Sequence, residues 1–157
     1  MLAVLAGLAA YVLYRNGKIR VLTLAAIPLL AFYLSFVATI TIFARIPSHD
    51  AQYQLTLFWT YKAIAKGETH YIAEIFWNVV LFVPIGILVM LLLTGKIRRL
   101  TAVIGMLLSV AIEVTQLIFH LGLFEFDDIV HNTLGTVIGI GMFLLIRGVG
   151  KRLIGKR

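Results

Sequence analysis

The chain contains no cysteine, which removes disulfides, thiolate metal sites and thiol nucleophiles from the chemistry available to it. Charge is scarce as well. Asp, Glu, Lys and Arg make up 13% of the 157 residues, where a soluble domain carries about 25%. Acids are the scarcer sign, seven against fourteen Lys and Arg. No His-Glu-x-x-His spacing is present, and neither Ser48 nor Ser109 sits in a nucleophile motif. What fills the sequence instead is apolar: 61% of residues, with a mean hydropathy of +1.01. A chain of this length leaves much of its surface exposed, so this much apolar side chain cannot be hidden in one small soluble core. A soluble enzyme, a disordered tail and a disulfide scaffold are all excluded.

The apolar residues run in long stretches. A helix needs about 20 of them to cross the ~30 Å hydrocarbon layer. Residues 21–43 carry no charge, residues 74–93 one acid at their start, residues 100–120 Glu113, and residues 129–146 His131 and Asn132. Residues 1–14 are apolar but would rise only ~21 Å. They lack the basic start and small-residue cleavage site of a secretory signal, and are read as a first helix extended toward Gly17. The expectation is one domain over 1–157: an all-α integral membrane helical bundle of about five transmembrane helices.

Basic residues give the orientation. Arg15, Lys18 and Arg20 follow the first span, Lys96, Arg98 and Arg99 separate the third from the fourth, and Arg147, Lys151, Arg152, Lys156 and Arg157 follow the last. All fall on one side of a five-span arrangement. Arg45, Lys62 and Lys66 lie on the other, with Asp50, Glu68, Glu125, Asp127 and Asp128. The positive-inside rule then puts the N-terminus outside and the C-terminus in the cytoplasm. The net charge of +7 is mostly topology, and a nucleic-acid partner is not expected. The long connection 44–73 holds Ser48–Asp50, read as a cap or turn, then the aromatic run Tyr53 to Tyr61 and a break at Gly67. A short interfacial or re-entrant extracellular helix is expected there.

Polar residues inside the last three spans are the informative part. At ~100° per residue, Ser109, Glu113, Gln116 and His120 fall within about 60° of one another. Glu113 lies roughly 10 Å below the outer edge of the hydrocarbon. Asp128, Asn132, Gly135 and Gly139 share a face of the fifth span, with His131 beside it. Glu74, Asn78 and Phe82 share one on the third. A lipid-facing ion costs at least ~2.5–3.5 kcal/mol, so these faces should turn toward one another or toward water. Asn78, Glu113, Gln116, Asp127, Asp128, His131 and Asn132 are therefore the candidate residues of an outer-leaflet polar pocket. Each has a structural reading beside the functional one. Asp127 or Asp128 can cap the fifth helix, the asparagines can be interhelical glue, His120 can be an interface residue, and Glu113 can be a buried hydrogen-bonded acid. Gly135 and Gly139 read as a small-xxx-small packing face; Pro84 and Pro28 read as kinks.

The segments Asn78-Val-Val-Leu-Phe82-Val-Pro84-Ile-Gly86, Glu113-Val-Thr-Gln116 and Phe124-Glu-Phe-Asp127-Asp128-Ile-Val-His131-Asn132-Thr-Leu-Gly135-Thr-Val-Ile-Gly139 together resemble the VanZ-like family, over roughly residues 55–146. Leu57 stands where a proline is common in the family. Gly122 stands where many members carry an arginine, a departure that leaves the outer loop without that cation. The resemblance implies a bacterial plasma-membrane protein linked to resistance against teicoplanin-type glycopeptides, with Asn78, Glu113, Gln116, Asp128, Asn132 and Gly135 at motif positions.

Three functions follow in order. The first is non-catalytic binding of an amphiphile at the outer pocket: a membrane lipid, a lipid-linked envelope precursor or a lipoglycopeptide, with no cofactor or metal. The second is an intramembrane enzyme acting on a lipid-linked or cell-wall precursor, with Glu113 as base, His131 or His120 carrying protons, and Asp127/Asp128 holding a divalent ion. The third is a small proton-coupled transporter, disfavoured because residues 87–93 and 144–146 are apolar.

Overall fold

The computed structural model describes residues 1–16, 21–48 and 52–154. Lys18, Arg20, Asp50, Lys156 and Arg157, used above for orientation, lie outside these. The described elements are α1 (Leu2–Arg15), α2 (Val21–Ala38) running into a π-helical turn (Thr39–Phe43), β1 (Gln52–Gln54), α3 (Trp59–Ala65), α4 (His70–Leu92), a 3₁₀ turn (Gly95–Leu100), α5 (Thr101–Ile118), β2 (Leu123–Glu125) and α6 (Phe126–Ile154).

Four helical segments are long and apolar enough to span a membrane: Val21–Phe43, His70–Leu92, Gly95–Ile118 and Phe126–Gly150. The protein is an all-α multi-pass membrane bundle. At 14 residues, α1 is short for a full crossing. It lies along α2 through small residues, with Gly7 against Pro28 and both Ala10 and Ala26 buried. Pro28 and Pro84 both sit inside uninterrupted helices.

The apolar core forms where α2, α4 and α5 meet, from Val37, Phe82, Ile85, Val89 and Ile112. Outside it, large apolar side chains such as Phe32, Phe36, Trp77, Leu107 and Leu145 are exposed, as lipid-facing positions should be. Helices α4 and α6 approach until their backbones touch. A Cβ on Gly86 would meet the Thr136 carbonyl oxygen, one on Gly135 that of Val79, and one on Gly139 that of Val83. These three positions cannot hold a larger residue without separating the helices.

The connection between α2 and α4 contains the expected short helix, α3, and Gly67 at φ 102° breaks the chain after it. It also contains β1, which pairs in parallel with β2, Gln52 opposite Leu123 and Gln54 opposite Glu125. Three-residue strands show no readable alternation, so this pairing is not legible in the sequence. Of the cap or turn expected at Ser48–Asp50, Asp50 lies outside the described residues; Ser48 lies in coil, and its N–H donates to the His120 carbonyl oxygen at 2.7 Å. His120 itself turns the chain out of α5 at φ 56°.

Candidate functional site

The loop pairing draws three helices together at one end of the bundle, where most of the polar residues expected to face inward are buried or half-buried, while Glu74 is exposed. Ser109, Glu113 and Gln116 are buried on one face of α5, and Asp127, His131 and Asn132 on α6. Glu113 is 2% exposed and accepts the backbone N–H of Glu125 at 2.9 Å, holding β2 over the end of α5. Gln116 donates to the Thr41 carbonyl at 2.9 Å, satisfying a group in the last turn of the π segment. Asn132 donates to the Ser109 hydroxyl at 2.9 Å, tying α6 to α5, while its Oδ1 has no partner. His131 meets the Tyr61 hydroxyl through Nε2 at 3.0 Å, and its Nδ1 is likewise unpartnered.

Asp127 does not cap its own helix. One carboxylate oxygen accepts the Phe58 N–H and the other accepts the N–H and hydroxyl of Thr60. It therefore caps α3, whose preceding residue Phe58 has a left-handed backbone and no side-chain cap of its own. The reason is reach: α6 begins at Phe126, so Asp127 lies within its first turn, facing the free N–H groups of a neighbouring helix.

Asp128 faces the other way. It accepts a 2.6 Å hydrogen bond from the Asn78 amide of α4. Its carboxylate lies with those of Glu74 and Glu125 in a group whose oxygens are all within 4.8 Å of one another. By composition and spacing these three are the described residues that could hold a divalent cation. Glu125 also accepts the Trp59 indole N–H at 2.9 Å. Burial chiefly, and then the negative charge of Asp128, push the Glu125 carboxyl up to about 7, although the Trp59 bond favours its ionised form.

Arg45 was not singled out as a binding residue from sequence, and it stands directly beside Gly122. Its guanidinium occupies the space where a Cβ on Gly122 would stand, and Nη1 reaches the Leu121 carbonyl at 3.5 Å. A positive charge thus stands beside Gly122, delivered from just beyond the π-helical turn and close enough to act on both Glu113 and Asp128. A glycine placed where an arginine is common, with an unassigned arginine in the preceding loop, is the signal that could have found it.

Beside Arg45 a groove of about 550 Å³ runs between α2 and α4. Tyr33, Phe36, Ile40, Trp77 and Leu81 form its apolar wall, and Arg45 and Asn78 its polar end. Tyr33 is fixed there by a 2.9 Å bond to the Leu81 carbonyl. Among the expected binding residues Asn78 lines this groove. Glu113, Gln116 and Asp127 are committed to holding the loops and helices behind it. Trp59, from the aromatic run before α4, is turned to Glu125 and stacks edge-on to Tyr71 at 5.0 Å.

No curated protein and no solved structure matches the chain. A family model described as VanZ/LLP1 matches residues 21–147, which takes in every element from α2 to most of α6. With the three motifs assembled at one end of the bundle, the chain belongs to the VanZ-like family.

Proposed function

We propose that this membrane protein, from a family associated with teicoplanin resistance, is a non-catalytic binder of an amphiphile, either a lipid or a lipid-linked envelope component. The reading rests on one observation: the groove between α2 and α4 is apolar along its wall and polar at one end. An acyl or prenyl chain lies against Phe36, Ile40 and Trp77, and the head group meets Arg45 and Asn78. Its volume falls within the ~300–1,000 Å³ of ordinary ligand pockets. Because Asp128 stands behind Asn78 and carboxylates of Glu74 and Glu125 beside it, the polar end offers both signs of charge. With the N-terminus outside and the C-terminus in the cytoplasm, the groove opens in the outer leaflet, on the side where lipid-anchored wall precursors and an acylated glycopeptide meet the membrane. Resistance then comes from shielding or competing for that membrane-anchored target.

The test fills or discharges the groove. Ile40→Trp occupies the wall and Arg45→Ala removes the head-group cation; both residues are exposed, so folding should survive. Each variant should lose a co-purifying amphiphile seen by mass spectrometry with the parent, and raise teicoplanin susceptibility in cells that depend on the protein. Unchanged co-purification and susceptibility in both variants sink the proposal.

The enzymatic reading keeps one observation in its favour, the convergence of Glu74, Glu125 and Asp128. Glu113 fits a general base poorly, since one oxygen is tied to a backbone N–H. Turnover of a lipid-linked diphosphate by purified protein, lost in Asp128→Asn, would place catalysis first.

A further inference from the structure

All acidic residues of the chain lie between positions 50 and 128, and the described ones cluster at the end of the bundle already discussed. At the opposite end, where α4 stops, α5 starts and α6 continues, Lys96, Arg98, Arg99 and Arg147 stand with no carboxylate near them in sequence. A second groove of about 490 Å³ opens there, walled by Leu22, Ile87, Leu91 and Phe143 and rimmed by Arg98 and Arg147.

Arg98 is positioned before any ligand arrives. Its Nε donates to the carbonyls of Leu93 at 2.7 Å and Met90 at 3.2 Å, which close the last turn of α4. Its guanidinium also lies 5.2 Å over the Phe143 ring. A cation held this way loses little side-chain freedom on binding. Arg147 is exposed one turn beyond Phe143 on α6.

We infer that this groove binds one anionic glycerophospholipid, its acyl chain against Leu22, Ile87 and Leu91 and its phosphodiester between Arg98 and Arg147. The occupant is a lipid because the wall is apolar and belongs to the membrane-facing ends of α2, α4 and α6. It is an anionic one because both rim charges are positive and no acid is among the described residues that line the groove, so none of them offers a counter-charge to the ammonium of a zwitterionic head. The site shares no lining residue with the groove at Arg45, so either can fail while the other stands.

The experiment titrates the full chain in neutral detergent with phosphatidylglycerol and with phosphatidylcholine of identical chains, counting bound lipid by native mass spectrometry. Phosphatidylglycerol should bind about tenfold or more tightly. Arg147→Gln should weaken it about fivefold, the contribution of one basic residue at a lipid head group. Ile146→Trp, an exposed position on the groove, should block it with both arginines intact. Asn78→Ala at the far groove should leave the preference unchanged. Equal affinity for the two lipids, full preference in Arg147→Gln, or tight binding in Ile146→Trp overturns the site. A preference that moves with Asn78 overturns it too, by assigning the lipid to the other end.

Discussion

Asp127 and Asp128 are neighbours in sequence with opposite duties, and no pattern of residue types distinguishes them. Both lie in the first turn of α6, where successive side chains point about 100° apart. One therefore faces α3 and the other α4. Asp127 satisfies the free N–H groups at the start of α3 from 67 to 69 positions away, so its removal exposes buried donors. Asp127→Ala should cost about 2 kcal/mol, the scale of a lost cap plus an unsatisfied buried group, read as a lower melting temperature in detergent. Asp128→Ala should cost less, because Asn78 lines an open groove and can be rehydrated. Glu125 adds a pH dependence. Its carboxyl is raised from 4.5 to about 7, so between those values the folded protein keeps a proton that the unfolded chain releases. Its contribution to stability is complete below about 4.5 and is lost as pH rises through 7. Glu125→Gln should flatten that part of the melting-temperature profile between pH 5 and 8. That polar residues at one depth would converge was legible, because an unpartnered ion in lipid is too costly. Their individual partners were not, because Glu113 and Gln116 bond to backbone groups of loops whose course leaves no mark on composition.

At the scale of elements, long apolar segments announced themselves and short irregular ones did not. Hydrophobic length alone locates α2, α4 and α5 to within about five residues, because lipid forces every backbone group into an internal hydrogen bond; α6 runs to Ile154, past the expected end at 146, where basic residues break the apolar run. The π-helical turn at Thr39–Phe43 is held by the Gln116 side chain and the β1–β2 pairing joins segments far apart in sequence, so neither follows from local pattern. The spacing of Gly135 and Gly139 showed a packing face but not its partner; the structure supplies it, Gly86 and the Val79 and Val83 carbonyls of α4. Gly86→Leu or Gly135→Val should therefore separate α4 from α6, costing at least the ~1–3 kcal/mol of overpacking and giving polydisperse, poorly expressed protein on size-exclusion chromatography. Gly141 lies on the same helix as Gly135, yet an added Cβ there meets nothing within 4 Å. Gly141→Ala should be neutral or slightly stabilising through helix propensity. If both classes of variant behave alike, close backbone contact is not what joins the two helices.

For the molecule as a whole, the decisive quantity is which end faces the cytoplasm, since that determines which leaflet each groove samples. The described charges are unevenly divided: Glu68, Glu74, Glu125, Asp127 and Asp128 lie at one end with Arg45, Lys62 and Lys66, while Lys96, Arg98, Arg99 and Arg147 lie at the other. The short element is α1, whose 14 residues rise ~21 Å and whose side of entry fixes the N-terminus. Orientation of the four long spans does not depend on α1, because the cations between α4 and α5 and after α6 give the same answer. The absence of cysteine makes this directly measurable, as any introduced thiol is the sole one in the chain. Lys66→Cys, in the exposed turn after α3, should react with a membrane-impermeant maleimide on intact cells. Lys96→Cys, exposed in the turn after α4, should react after permeabilisation alone. The reverse pattern would turn the Arg45 groove toward the cytoplasm and remove it from contact with any extracellular glycopeptide. The phospholipid site at Arg98 would survive that reversal, because its selectivity comes from local charge.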